Sequence, residues 1–222
     1  EMTDGDRSMR EILGGKGANL AEMCSADVPV PPGFTVSTEA CAVYEQEGSY
    51  PAAMMQQVKT ELAKLEKLEG KKVGDAKNPL LLSVRSGAAQ SMPGMMDTVL
   101  NLGMNDKSVK GFATAYGNER AAWDCYRRFI DMFGDVVMGM DHHQFEVAFD
   151  KVKKKYKVTE DTEVPAEGLK ELCEAYKAVY KKHCKEEFPQ DPVKQLEHAI
   201  KAVFGSWNTT RAVRYREIEG IR

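Results

Sequence analysis

The chain changes character near residue 105, and that change limits its architecture more than any other feature. Before it, glycine and proline cut the sequence into short apolar segments. After it, apolar residues recur at helical spacing. Val28-Pro29-Val30-Pro31-Pro32-Gly33 cannot be helical, because each proline lacks a donor and biases the residue before it toward extended backbone. Trp123, Tyr126, Ile130 and Phe133 instead lie on one helical face, as do Phe145, Phe149, Val152 and Tyr156. Leu169, Leu172, Tyr176 and Val179 form a third stripe, entered through Pro165. Val193, Leu196, Ile200, Val203 and Trp207 form a fourth, entered through Asp191-Pro192. The pattern predicts an α+β chain: a small sheet with flanking helices in residues 1–104 and a mainly helical subdomain in 105–222.

Within the first half, the glycines at 14, 15 and 17 predict a glycine turn that opens a helix at Ala18, since a helix would lose about 1 kcal/mol at each glycine relative to alanine. Phe34–Val36 reads as a short strand, and Ser37 or Thr38 caps the helix that follows. Val58, Leu62 and Leu65 mark another helix, whose acidic stretch from Glu61 to Glu69 is expected at the periphery. Leu80–Val84 reads as a buried strand, residues 85–98 as an ordered loop, and Val99–Leu102 as the next strand.

Charge and composition narrow the function classes. The formal charge is −3, with 31 basic and 34 acidic residues, which disfavours a general nucleic-acid binder. The longest apolar run, Ala40–Tyr44, is far too short for a transmembrane helix. The cysteines at 24, 41, 125, 173 and 184 are odd in number and irregular in spacing. They predict reduced, mostly buried thiols on helices of an intracellular protein, not a disulfide framework or a zinc site. Position 1 is Glu rather than Met, from which a trimmed N-terminus is expected. The histidines at 142, 143, 183 and 198 read as surface residues, and the lysines of 151–157 as a solvated helix end.

Three segments could carry chemistry. Gly14-Gly15-Lys16-Gly17-Ala18 combines close backbone approach, a helix start that can face an anion, and an ammonium group. It is not a Walker A loop, since Gly17 stands where Ser or Thr belongs. Taken alone it reads first as a surface turn with an exposed lysine. In Ser83-Val84-Arg85-Ser86-Gly87, an arginine leaves a strand; it meets either a phosphate or a structural carboxylate. In Ser91–Thr98, Gly94 permits unusual backbone angles, loop amides can form an anion nest, and Ser91 and Thr98 add hydroxyls. Asp97 there holds a metal or caps the loop. The methionines at 92, 95 and 96 fill core gaps or face a flat apolar group. A lysine, an arginine and a flap of backbone donors are the parts that phosphoryl transfer needs.

These residues bring a family into view. The chain resembles the N-terminal part of the pyruvate, phosphate dikinases through Leu13-Gly-Gly-Lys-Gly-Ala-Asn-Leu-Ala-Glu-Met23, Val30-Pro-Pro-Gly-Phe-Thr-Val-Ser-Thr-Glu-Ala40 and Leu81-Leu-Ser-Val-Arg-Ser-Gly-Ala88. It does so again through Ser91-Met-Pro-Gly-Met-Met-Asp-Thr-Val-Leu-Asn-Leu-Gly103, Phe129–Gly134, Ala202–Phe204 and Ser206-Trp207. Pyruvate, water dikinases share the lysine and the VPPGF-type and VRS-type segments, but their loop after VRS reads differently.

The resemblance implies an ATP-grasp-like portion that binds ATP, with Lys16 and Arg85 as phosphate contacts and Gly94, Met96, Asp97 and Thr98 as the loop over the polyphosphate. It implies a Mg²⁺ cofactor whose ligands lie mostly outside this sequence, and no catalytic residue within it. The carrier histidine and the pyruvate-binding barrel belong to other domains of the same polypeptide, itself a homodimer. On this resemblance the 222 residues do not catalyse the whole reaction alone. Cytoplasm and plastid are both compatible with it. The alternatives are a nucleotide domain of the water dikinase type and a non-catalytic helical module that works through residues 105–216.

Overall fold

The computed structural model describes residues 3–221. Its contacts divide the chain into two units. One contains residues 1–70, 85–98 and 203–222; the other contains 71–84 and 99–202. This grouping is discontinuous and is not the division at residue 104.

In the first unit, α1 spans Arg10–Ser25, α2 Thr38–Glu47 and α3 Met54–Glu69. The predicted start of α1 at Ala18 is too late. Only Gly14 leaves the helical region, with φ 68° and ψ 170°, and the helix resumes at Gly15. Ser37 caps α2 by accepting from the Ala40 N–H at 3.4 Å, and Gly48, at φ 68°, ends it. Thr38, the other candidate cap, instead donates to the Glu11 and Ile12 carbonyls, which ties α2 to α1. The expected strand at Phe34–Val36 does not form. The prolines at 29, 31 and 32 keep a ladder from extending back from Phe34, and Thr35 is packed against Gly17. Met54, Val58 and Leu62 are the buried face of α3; Lys67–Gly70 are exposed, so the acidic end is peripheral. Tyr44 stacks on Tyr50 with ring centroids 5.2 Å apart, and Phe204 closes that cluster at 5.7 Å from Tyr44.

In the second unit, β1 (Lys72–Val73) pairs in parallel with β2 (Pro79–Leu80). Asp75 holds the turn between them by accepting from the Lys77 and Asn78 N–H groups at 2.6 and 2.9 Å. β3 (Leu82–Arg85) pairs with β4 (Thr98–Leu102). The strand expected over Leu80–Val84 is thus broken at Leu81, and its halves join different partners. Then follow α4 (Ser108–Tyr116), α5 (Glu119–Met132), a π-helical turn at Phe133–Val137, α6 (His143–Tyr156), α7 (Ala166–Cys184) and α8 (Pro192–Gly205). α9 (Thr210–Glu219) returns to the first unit.

The stripes read from the sequence form the core of α5, α6 and α7, where Tyr126, Ile130, Phe133, Phe145, Leu169 and Leu172 are fully buried. Phe188, in the segment before α8, is the ring around which four others assemble. It lies 5.3 Å from Tyr180, 5.4 Å from Phe133, 5.8 Å from Phe129 and 6.3 Å from Tyr126, all edge-on. Gln195, also fully buried, joins α8 to the end of β4: it accepts from the Gly103 N–H at 3.0 Å and donates to the Met104 carbonyl at 2.9 Å. All five cysteines lie on helices, but only Cys173 is buried; Cys24 is exposed and the other three are half-buried. His142, His143 and His183 are exposed, while His198 is half-buried and stacks on Phe133 at 6.1 Å.

Candidate functional site

All six residues singled out as phosphate contacts, Lys16, Arg85, Gly94, Met96, Asp97 and Thr98, fall in the first unit. The site is built on a crossing of two backbones. A Cβ added at Gly14 would stand 1.3 Å from the Gly87 carbonyl oxygen, so only glycine permits the approach. Next to it, the Gly15 N–H donates to the Ala88 carbonyl at 2.9 Å, and Arg10 Nε donates to the Ala89 carbonyl. The glycine turn is therefore clasped to the segment that leaves β3 after Arg85. The Gly15 amide is occupied by this clasp.

Lys16 follows in the first turn of the resumed helix, exposed and with no ion-pair partner among the described residues. Arg85 ends β3 and is also exposed, with an interaction of its own. The clasp joins the segments that carry these two cations.

The loop expected over residues 85–98 runs between β3, which ends at Arg85, and β4, which Thr98 opens. Met92-Pro93-Gly94-Met95 is a turn closed by the Met95 N–H on the Met92 carbonyl at 3.1 Å, with Gly94 at φ 73°. Met92 is buried; Met95 and Met96 are half-buried, and Thr98 opens β4. Asp97 is engaged by Arg211, whose Nη2 donates to its carboxylate while Nε donates to the Met95 carbonyl at 3.2 Å. The Asp97 N–H donates to Ser206 Oγ at 3.3 Å.

Sequence reasoning missed Arg211. A weak signal was present: an arginine in the first turn of a helix capped by Thr209 opposes the helix dipole, a cost that a nearby carboxylate offsets. An open cleft of about 510 Å³ borders the clasp, lined by Arg10, Glu11, Ala89, Gln90, Ser91, Tyr215, Glu219 and Ile221. None of the six predicted residues lines it.

These residues do not by themselves fit a magnesium site. Asp97 is the one carboxylate among the six, and it is tied to Arg211. Among the described residues no group of three or more His, Cys, Asp or Glu side chains is placed to hold a metal ion.

Comparison with known proteins gives a consistent set of relatives. The family described as "Pyruvate phosphate dikinase, AMP/ATP-binding domain" matches residues 10–69 and 46–222. The chain is 53% identical over 220 residues to the chloroplastic pyruvate, phosphate dikinase of Mesembryanthemum crystallinum, covering 99% of this chain and 23% of that protein. It is 53% identical to the Clostridium symbiosum pyruvate, phosphate dikinase, covering 98% of this chain and 25% of that protein. It is 52% identical over 212 residues to the Giardia intestinalis enzyme of the same name, covering 96% and 24%. The chain thus spans about a quarter of the length of the curated relatives it matches.

Proposed function

The chain belongs to the AMP/ATP-binding domain family of the pyruvate phosphate dikinases, and we propose that it supplies the polyphosphate-binding part of such an enzyme. The single observation that carries this reading is the clasp between the glycine turn and residues 87–89. It makes one structural unit of the segments bearing Lys16, Arg85 and the 92–98 loop. In this reading the Lys16 ammonium and the Arg85 guanidinium take phosphate oxygens of ATP. Gly94, Met96, Asp97 and Thr98 form the loop over the polyphosphate. The role of these groups is to position the phosphates and offset their charge, which is what phosphoryl transfer asks of a protein. Along the sequence, residues 1–104 hold these phosphate-binding elements, and 105–222 supply a mainly helical portion.

The full polypeptide, in the same proposal, converts ATP, phosphate and pyruvate into AMP, pyrophosphate and phosphoenolpyruvate. Its carrier histidine and pyruvate-binding barrel lie in other domains, its Mg²⁺ ligands lie outside this chain, and it works as an intracellular homodimer. The test is AMP formation from ATP by the full-length polypeptide with and without inorganic phosphate. A strict requirement for phosphate is the expected result. AMP formation that proceeds equally well without phosphate overturns the assignment in favour of a water dikinase.

A further inference from the structure

We propose that Arg211 is a positioning residue that neutralises Asp97 and pins the 92–98 loop in the shape that receives a polyphosphate; this rests on the reading of that loop given above. A carboxylate in a loop that meets several phosphate charges works against binding unless its own charge is offset. Arg211 is the group that offsets it. Its fork makes two different contacts, Nη2 to the Asp97 carboxylate and Nε to the Met95 carbonyl. Asp97 is mostly covered, with 17% of its side chain exposed.

The segment behind Arg211 is held by its own contacts. Thr209 caps α9 by accepting from the Ala212 N–H and donates to the Ser206 carbonyl at 3.0 Å. The Arg216 guanidinium lies 3.9 Å over the Trp207 ring. Ser206 Oγ accepts from the Asp97 N–H and donates its own hydrogen bond to the Val203 carbonyl at 2.7 Å. The loop is therefore fastened at a side chain, a carbonyl and an amide, all to one corner of the chain. Helix energetics do not explain the arginine, since a cation in the first turn opposes the dipole. A lysine would keep the charge but lose the two-site contact.

The experiment uses the full-length polypeptide carrying Arg211→Met, Arg211→Lys, and Arg211→Met combined with Asp97→Asn. Affinities for ATP and for AMP are measured by calorimetry, with thermal unfolding alongside. Arg211→Met is expected to weaken ATP about fivefold, the scale of a partly exposed ion pair, and AMP less than about twofold. Arg211→Lys is expected to fall between wild type and Arg211→Met. Asp97→Asn in the Arg211→Met background is expected to restore most of the ATP affinity, because the uncompensated carboxylate is gone. Equal weakening of ATP and AMP, or no recovery in the double variant, overturns the proposal and leaves Arg211 a structural residue. Lys16→Ala in the same series separates the two layers. If Lys16→Ala weakens ATP while Arg211→Met does not, the Arg211 proposal alone falls. If neither does, the polyphosphate reading falls with it.

Discussion

Gly14 and Gly87 meet backbone to backbone, so closely that a single added methyl at Gly14 would overlap the Gly87 carbonyl oxygen at 1.3 Å. Gly14 also adopts φ 68° with ψ 170°, a region that side chains exclude. Gly14→Ala is therefore expected to destabilise the protein by about 3 kcal/mol, from backbone strain and overpacking together. Gly15 is helical, and its added Cβ would meet the Ala88 carbonyl oxygen at 3.3 Å, a tight contact that a shift of a few tenths of an ångström relieves. Gly15→Ala should change stability by less than about 1 kcal/mol. Urea unfolding of the two variants checks the contrast, and equal losses would refute it.

Phe188 is the ring that four aromatic neighbours share, and it is almost wholly buried. Phe188→Ala should cost about 3–5 kcal/mol through the cavity it leaves. Phe188→Leu should cost less, since it refills part of that volume. Denaturant midpoints at constant slope are the measurement; a loss under about 1 kcal/mol for the alanine variant contradicts the packing account.

The pH dependence of the β1–β2 turn follows from Asp75. The Asn78 and Lys77 amides hold its carboxyl below the ordinary carboxylate range. A depressed folded pKa stabilises the fold above the unfolded value, and that contribution is lost as pH falls through the folded value. Asp75→Ala should therefore be less stable than wild type at neutral pH. The gap should close below about pH 4, where the unfolded carboxylate is already protonated. A gap independent of pH would assign the loss to something other than the charge.

The cysteines should differ in reactivity. Burial, with Glu45 adding to it, pushes the Cys41 thiol up to about 11, and burial also raises Cys173. At pH 8 the thiolate fraction of Cys41 is then roughly a hundredfold below that of an ordinary cysteine. Exposed Cys24 should be alkylated by iodoacetamide before Cys41 and Cys173, as mass mapping of a time course would read out. Cys41 should gain on Cys24 as the pH rises toward 11. Labelling of Cys41 at the rate of Cys24 at pH 8 contradicts the burial.

The sequence stripes of α5, α6 and α7 were legible because helical periodicity records one buried face, and Trp123, Tyr126, Ile130 and Phe133 are all buried there. Phe188 was not legible: it lies between helices, where no period reports burial. The strands were read less well. Leu80–Val84 gives a continuous apolar run, but run length cannot say that Leu80 pairs with Val73 while Leu82 onward pairs with β4. Phe34–Val36 has strand composition and no ladder: the prolines before it keep any ladder from extending back over residues 29–32, and Thr35 packs against Gly17. At the site, residue types pointed to the glycine turn, Arg85 and the 92–98 loop as separate segments. The contacts that join them run through the carbonyls of Ala88, Ala89 and Met95, which any residue supplies, and through Arg211, more than a hundred positions from Asp97.

The central claim is that Lys16 and Arg85 serve one polyphosphate. A calorimetric titration of the full-length polypeptide with Mg-ATP, beside its Lys16→Ala, Arg85→Ala and Arg85→Lys variants, tests it most directly. Loss of either charge should weaken ATP about tenfold or more, and the lysine at 85 should not restore binding because it cannot reproduce a two-pronged contact. Thermal unfolding should be unchanged for Lys16→Ala, whose ammonium has no ion-pair partner among the described residues. Wild-type ATP affinity in folded Lys16→Ala and Arg85→Ala proteins would contradict the account.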